Sequence, residues 1–538
     1  MGCISQLTLH VTGAGSAPGL NGTVTVAGNT VAGDTFTVDR DGTSQTNYYA
    51  DNDGDGYGYG AATPSCDPVL DTVVNATDCN DTNAAINPAT GDCDISLADA
   101  DAKLIGDDPS DYVGMFLTAA GDTNGDGYGD FLVGVHGEDL SGASSSEGVA
   151  YVMCGPVAES ATFADSCADI YGARAATQAG SGVADLGDID GDGYDDVAVG
   201  LNSPTSVAVF QGPLSGSYSS AAADATVTML TLGDIAGAGD VDGDGSLDLL
   251  VGVAYDDAAA TDAGAVYLIP VPTTGTVDLA SATASIYGEA ASDYAGSAIA
   301  GGADFDGDGL HDIAVGAPYV DVDGTDSIGV VYGLLGPVTG AVGLADADAR
   351  FEGEVSSDNA YGYPIAQLAG VSISDAGDVN DDGYSDLLIG ASYAGFNRNG
   401  CAYLQLGPLS TSGGLADADA VIEHRDDGAS FGDSVAGVGD VNEDGYSDIL
   451  IHAADAGEAY AYPGANYVFF GPISGVIDDG DANGTLTGEA YYDAFFGVVA
   501  GAGDVDADGR DDLLIGVSRH DAGGTDAGAV YLVLGSNF

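Results

Sequence analysis

The sequence predicts an all-β protein, a closed seven-bladed propeller of four-stranded blades behind a small N-terminal β and Cys/Asp-rich segment. Three observations carry that prediction. A nine-residue Asp–Gly pattern recurs seven times, at intervals of 52 to 74 residues. A short apolar run follows every copy. The chain also stops one strand short of a full last repeat, and a matching strand sits ahead of the first. A period of this size suits a four-stranded blade, and repeats are sought before other signals.

The copies begin at Asp122 (DTNGDGYGD), Asp188 (DIDGDGYDD), Asp240 (DVDGDGSLD), Asp304 (DFDGDGLHD), Asp378 (DVNDDGYSD), Asp440 (DVNEDGYSD) and Asp504 (DVDADGRDD). The runs behind them include FLVGV from Phe131, IAVGA from Ile313 and LLIGV from Leu513. They do not alternate, as expected of a strand buried on both faces, and they are read as the inner strands of stacked blades. A second strand follows, as in GAVYLIP from Gly264 and GAVYLVLG from Gly528, and then an outer strand such as RFEGEVSSD from Arg350. The segment AKLIGDDPSD from Ala102 resembles those outer strands, and the seventh copy lacks one. Pairing the two ends closes the ring and removes an exposed sheet edge. The predicted division is residues 1–48 as a small β segment or truncated domain, 49–97 as a Cys/Asp-rich linker, and 98–538 as the propeller.

Composition narrows the function. The chain has 538 residues, with 85 Asp and Glu against 8 Lys and Arg, a net charge of −77. That excludes a nucleic-acid binder working through a basic surface and a polybasic membrane anchor. Ten of the acids are Glu, so short carboxylates placed in turns dominate. A hydrophobic fraction of 45% argues against disorder despite the charge. No apolar run reaches the roughly 18 residues of a membrane helix. No basic and apolar signal-peptide pattern is visible from Met1 to Gly13. Seven cysteines are present. Cys66, Cys79 and Cys93 cluster, and Cys154 and Cys167 flank one hairpin turn, a pattern that fits local disulfides in an oxidising compartment. The odd count leaves at least one thiol unpaired within the chain.

With the aromatic–Gly pairs Tyr361-Gly362, Phe431-Gly432 and Phe496-Gly497, the Asp loops and the Gly316-Ala317-Pro318 triplet, the chain resembles the FG-GAP repeats of the integrin α-subunit head and of bacterial surface proteins. Repeat two departs with Ala179-Gly180, and repeat six carries His452 in place of the usual Gly. The resemblance implies an extracellular or cell-surface adhesion module.

The loops themselves point to Ca²⁺. A hard cation wants six to eight oxygens, which alternating carboxylates and a position-7 carbonyl supply. Positions 1, 3, 5, 7 and 9 are Asp122, Asn124, Asp126, Tyr128 and Asp130 in loop 1, and Asp188, Asp190, Asp192, Tyr194 and Asp196 in loop 2. Loop 3 has Asp240, Asp242, Asp244, Ser246 and Asp248, and loop 4 has Asp304, Asp306, Asp308, Leu310 and Asp312. Loop 5 has Asp378, Asn380, Asp382, Tyr384 and Asp386, and loop 6 has Asp440, Asn442, Asp444, Tyr446 and Asp448. Loop 7 has Asp504, Asp506, Asp508, Arg510 and Asp512. An EF-hand would need Glu at position 12, where Val or Ile stands in every copy, such as Val133 and Ile515. The expectation is about seven Ca²⁺ in the propeller.

An eighth Asp-rich stretch, DNDGDGYGY, adds the candidate ligands Asp51, Asp53 and Asp55, with Tyr59 at position 9. The segment after it, from Ala76, resembles the Cys- and Asp-rich metal-binding motif found beside surface repeats, which implies one or more further ions.

No catalytic constellation is legible. The six histidines (His10, His136, His311, His424, His452 and His520) show no metal-ligand spacing, and no nucleophile elbow is present. The reading is therefore a non-enzymatic, calcium-binding adhesion or ligand-binding module whose partner is a protein or carbohydrate on a cell surface or matrix. The alternatives are a lectin, with tyrosines such as Tyr112, Tyr294 and Tyr361 stacking on sugars, a self-assembling structural subunit, or a polysaccharide-active enzyme.

Overall fold

A computed structural model of the chain describes residues 94–538, apart from 141–145, 230, 355–366, 395–398, 410–411, 426–428, 455–463 and 490–496. Ahead of residue 94 it describes the backbone of five strands only. The chain divides into two compact units, Met1–Thr90 and Gly91–Phe538. In the first, Val24–Val26 pairs antiparallel with Asn29–Val31. Thr46–Ala50 lies between Tyr59–Ser65 and Thr72–Val73. Asp51, Asp53 and Asp55 fall outside the described residues, as do Cys66, Cys79, Cys93 and the Tyr361-Gly362 pair.

The second unit is all-β, and its sheets form seven blades. Blade 3 shows the plan: Ile235–Gly239, Asp248–Val253, Ala265–Pro270 and Ala284–Tyr287 run outward from the centre, each antiparallel to the next. The Asp loop joins the first strand to the second. The strongly apolar run is therefore the second strand, not the innermost one that its burial suggested. It is buried at every position, as in Asp130–Val135 and Asp512–Val517, because a neighbouring blade covers each face. The innermost strand precedes the loop and is built of small residues, IAGAG at 235–239 and AIAGGA at 298–303. Seven such strands pack side by side in a ring, with Gly497–Gly503 against Phe116–Gly121. Those of blades 1, 5, 6 and 7 line an open cavity of about 410 Å³, with Thr118, Ser374, Val435 and Val499 among its residues.

Blade spacing is set by backbone contact. A Cβ on Gly316 of blade 4 would lie 2.2 Å from the carbonyl oxygen of Gly370 in blade 5, and Gly370 itself has φ +83°. The pairs Gly134–Gly180, Gly252–Gly296, Gly390–Gly432 and Gly516–Gly114 repeat this approach. A side chain would force the sheets apart, and the positive φ would strain any L-residue. In blade 5 the place of the aromatic–Gly pair is thus filled by Ala369-Gly370, and Tyr361-Gly362 is not its equivalent. In blade 6 the buried His452 replaces the second-strand Gly, and its ring lies where a Cβ on Gly497 would go.

Six blades also carry a fifth short strand, donated in parallel by the next blade. In blade 3 it is Gly340–Gly343 beside Ala284–Tyr287. The last such strand, Asp94–Ser96, pairs with Gly484–Thr487 of blade 6. Blade 7 is then completed by Ala102–Ile105, which pairs antiparallel with Ala529–Val533 (Leu104 opposite Val530). Strands from the two ends of this unit thus share one sheet, and Ala102, Leu104 and Val530 join Phe131 and Val133 of blade 1 in one core.

Blade 7 alone lacks the fifth strand, and blade 1 shows why. Its connection has Glu159 where blade 4 has Gly340 at φ +76°. Ala161 N–H turns back to Ala158 O, and the connection is closed by the Cys154–Cys167 disulfide. In blades 2, 4 and 5 that place is held by a carboxylate, as where Asp348 accepts from Leu335 N–H at 3.0 Å. Cys401 is buried and free, and burial pushes its thiol up to about 12.

Ring closure by the N-terminal strand makes a direct prediction. Removing residues 94–106 strips blade 7 of its outer strand and should abolish the single cooperative melting transition in calorimetry, with aggregation through the bared edge. Removing residues 1–48 should leave the transition in place. A 94–106 deletion that melts like the intact chain contradicts this closure.

Candidate metal centres

Each loop is shaped by its own carboxylates. In loop 4, Asp304 Oδ1 accepts from the N–H groups of Gly307 (2.7 Å) and Asp308 (3.2 Å), and Oδ2 accepts from Gly309 (3.0 Å). Asp306 accepts from Asp308 N–H at 3.1 Å, and Asp308 from Leu310 N–H at 2.8 Å. Asp takes this place because its short side chain bonds backbone groups a few residues on. The bond from the sixth residue to the position-1 carboxylate recurs in every copy, at 2.8 to 3.0 Å.

Position 9 has a structural task that the sequence reading did not foresee. Asp312 is buried, with Oδ2 accepting from Phe305 N–H (2.7 Å) and Oδ1 from Gly336 N–H (2.7 Å). It ties the start of its loop to the turn that leaves the third strand. Asp130, Asp196, Asp386, Asp448 and Asp512 do the same with Gly155, Gly212, Gly407, Gly471 and Gly535. Burial pushes these carboxyls up, to about 6 for Asp130, Asp196 and Asp312 and to about 7 for Asp448 and Asp512, while the backbone donors pull them back.

The loops are also stitched to one another. The position-8 N–H of one loop donates to the position-1 carbonyl of the loop before it, from Asp195 to Asp122, His311 to Asp240, Ser385 to Asp304, Ser447 to Asp378 and Asp511 to Asp440. Gly129 donates to Asp504 at 2.8 Å, which carries the stitching across the junction between blades 7 and 1.

In four loops, three carboxylate oxygens lie within 4.8 Å of one another: Asp188, Asp190 and Asp196; Asp240, Asp242 and Asp248; Asp304, Asp306 and Asp308; Asp504, Asp506 and Asp512. The other three loops hold Asn124, Asn380 or Asn442 at position 3. Among the described residues, the ion pairs of Lys103, Arg350, Arg425 and His520 involve Glu289, Glu352, Glu489, Asp478 and Asp479, not a loop carboxylate. The buried Oδ1 of Asp248 has no hydrogen-bond partner. An all-oxygen donor set that forms no ion pair with a basic side chain among the described residues fits a hard divalent cation. At position 7 the structure shows the N–H group engaged with the position-5 carboxylate, as for Tyr128, Tyr194, Ser246, Tyr384, Tyr446 and Arg510.

One further acidic group, Asp107, Asp111 and Glu138, lies at the other end of blade 1 and was not legible in the sequence. Burial pushes Asp111 up to about 6 and Glu138 to about 7. Four of the described histidines make local contacts. His311 Nδ1 accepts from Asp240 N–H at 3.0 Å, His452 meets Asn466 at 2.8 Å, His424 meets Tyr467 at 3.0 Å and His136 stacks on Tyr112.

Seven stacked blades with stitched acidic loops define a repeat β-propeller. Models of the FG-GAP repeat match residues 116–153, 295–334, 370–403 and 496–533, and a model of the FG-GAP-like repeat matches 188–251. The chain carries FG-GAP repeats and is similar to integrin α subunits. Integrin alpha-PS2 of Drosophila melanogaster is 30% identical over 186 residues, 33% of this chain and 13% of that protein. Integrin alpha-5 of Xenopus laevis is 31% identical over 251 residues, 44% of this chain and 21% of that protein. The chain thus spans about a fifth or less of the length of these relatives. A solved structure of BBS1N in complex with ARL6DN covers 80% of this chain and 96% of that one at 10% identity, with a TM-score of 0.36, too loose a likeness to argue from.

The raised position-9 carboxyls fix a pH dependence. Without metal, the folded state holds protons that the unfolded chain releases near pH 4, so stability falls as pH rises from about 4 to about 7. In excess chelator the melting temperature should be higher at pH 5 than at pH 7.5. A chelated protein that melts lower at pH 5 contradicts the burial of these groups.

Proposed function

We propose that this chain is the extracellular, calcium-stabilised propeller of an adhesion or ligand-binding protein, with residues 98–538 as the binding module and residues 1–48 and 49–97 as an appendage. Calcium is supported by the hard oxygen donors of seven loops and by the excess of Asp over Glu. The Cys154–Cys167 disulfide supports an oxidising compartment. Similarity to integrin α subunits supports adhesion.

The observation that carries ligand binding lies at the blade ends opposite the Asp loops. Tyr255 and Tyr319, 70% and 45% exposed, each follow the second strand of adjacent blades. Tyr294 sits between them edge-on, with ring centroids 5.3 and 5.1 Å away. Exposed, mutually braced aromatic rings are typical anchors of recognition surfaces. Asp256, Asp257 and Asp321 follow them in sequence, so a protein loop carrying Lys or Arg suits the patch. A carbohydrate stacking on the tyrosines is the second reading. We assign the chain no catalytic step.

Three experiments test this. Each site that binds only the folded state adds RT ln(1 + [Ca]/Kd), about 2.7 kcal/mol at a 100-fold excess over Kd. Chelation should therefore lower the melting temperature by many degrees, and sodium chloride should not restore it. Asp308→Ala should remove one equivalent of bound Ca²⁺ by native mass spectrometry, and Asp308→Asn should cost less. Unchanged stoichiometry in Asp308→Ala means that loop 4 is only a polar turn. For the ligand, a matrix-protein and glycan array should give hits that Tyr255→Ala/Tyr319→Ala loses by at least about tenfold without a change in melting, a size typical of an interface anchor. Hits that the double variant retains place the ligand elsewhere.

A further inference from the structure

The seven loops are not equivalent, and their differences lie in named atoms. Position 3 is Asp in loops 2, 3, 4 and 7 and Asn in loops 1, 5 and 6. The three-carboxylate gatherings occur in the four Asp loops. In loops 5 and 6 the amide turns its NH₂ towards the position-5 carboxylate, Asn380 to Asp382 at 3.0 Å and Asn442 to Asp444 at 3.1 Å. The amide thereby occupies an oxygen that a cation would otherwise take and brings no charge of its own. The number of charged ligands is what tunes oxygen-cage affinities across decades.

Loop 3 differs again. In the other six loops Oδ1 of the position-9 Asp takes the N–H of a Gly that leaves the third strand. In blade 3 that Gly is replaced by Val271, which gives its N–H to Leu247 O at 3.0 Å. Asp248 Oδ1 is left buried without a donor, in a residue 1% exposed that belongs to the Asp240, Asp242 and Asp248 gathering. A buried carboxylate oxygen without a partner is costly and is relieved by a cation.

We infer that the propeller fills with divalent cation in a fixed order: loop 3 first, loops 2, 4 and 7 next, and loops 1, 5 and 6 last. This grading rests on the calcium reading above. The exposed tyrosines belong to blades 3 and 4, inside the run of strong loops 2, 3 and 4. The binding face is therefore held at calcium levels that leave loops 1, 5 and 6 unloaded.

The test is a Ca²⁺ titration of the full chain by calorimetry, with native mass spectrometry counting the ions. The expected curve has four tight and three weak equivalents, separated by at least about tenfold in affinity, the scale on which ligand charge tunes such sites. Asn442→Asp lies on the surface and should convert the curve to five tight and two weak without changing the total. Val271→Gly gives blade 3 the residue of the other six turns, which frees the backbone N–H now held by Leu247 O to turn to Asp248, and should weaken one tight site while leaving the count at seven. Seven equivalents in one affinity class, or an Asn442→Asp protein that keeps the four-to-three division, overturns the grading while the calcium reading stands. No bound Ca²⁺ at all overturns both.

Discussion

The fold turns on seven carboxylates placed where carboxylates are expensive. The Asp at position 9 of each loop is buried. There it accepts the N–H of position 2, from Thr123 in loop 1 to Val505 in loop 7, at 2.7 to 3.0 Å. No apolar side chain could do this, because the N–H groups that it accepts would be left unpaired out of water. A charged group in that position is desolvated, and hydrogen bonds alone leave its affinity for protons raised. On the calcium reading proposed above, a divalent cation held by positions 1, 3 and 5 of the same loop would resolve the conflict. Loop, strand order and metal preference are thus one arrangement.

The remaining architecture distributes that arrangement around a ring. Glycine-to-carbonyl contacts such as Gly316 against Gly370 fix the distance between blades, and loop-to-loop hydrogen bonds fix their rotation. Because each sheet except the last borrows a strand from its successor, no blade is complete alone. The two ends of the propeller unit supply the final pairing. Stability of this kind is shared between neighbours, and damage at the junction of blades 7 and 1 is felt by the whole ring.

The sequence was legible where chemistry and period coincide. The Asp loops and the buried apolar strand could be read because each depends on residues close together in the chain, and the closing strand at Ala102 because it repeats the local pattern of the other outer strands. The innermost strand could not. Its small residues answer to a central cavity and to neighbouring blades, so IAGAG at 235–239 carries no strand-like alternation. The second duty of position 9 depends on a Gly some two dozen residues further on, and only the Gly-Pro turns hinted at it. Aromatic–Gly pairing misled at Tyr361 because the structural requirement is the glycine, which Ala369-Gly370 meets. Tyr294 stood out in the sequence, while its partners Tyr255 and Tyr319 required the fold to bring three rings together.

The central claim is that cation binding and the buried position-9 carboxylates are coupled. Amide hydrogen exchange measures that coupling at the bonds concerned, the N–H groups of Val441 and Gly471 on Asp448 and of Phe305 and Gly336 on Asp312. Protection at these four amides should rise together, by at least about tenfold, as Ca²⁺ is added to the metal-free protein at constant ionic strength, a change of about 1.4 kcal/mol in local opening. Exchange at these amides that is the same with and without Ca²⁺ would contradict the account.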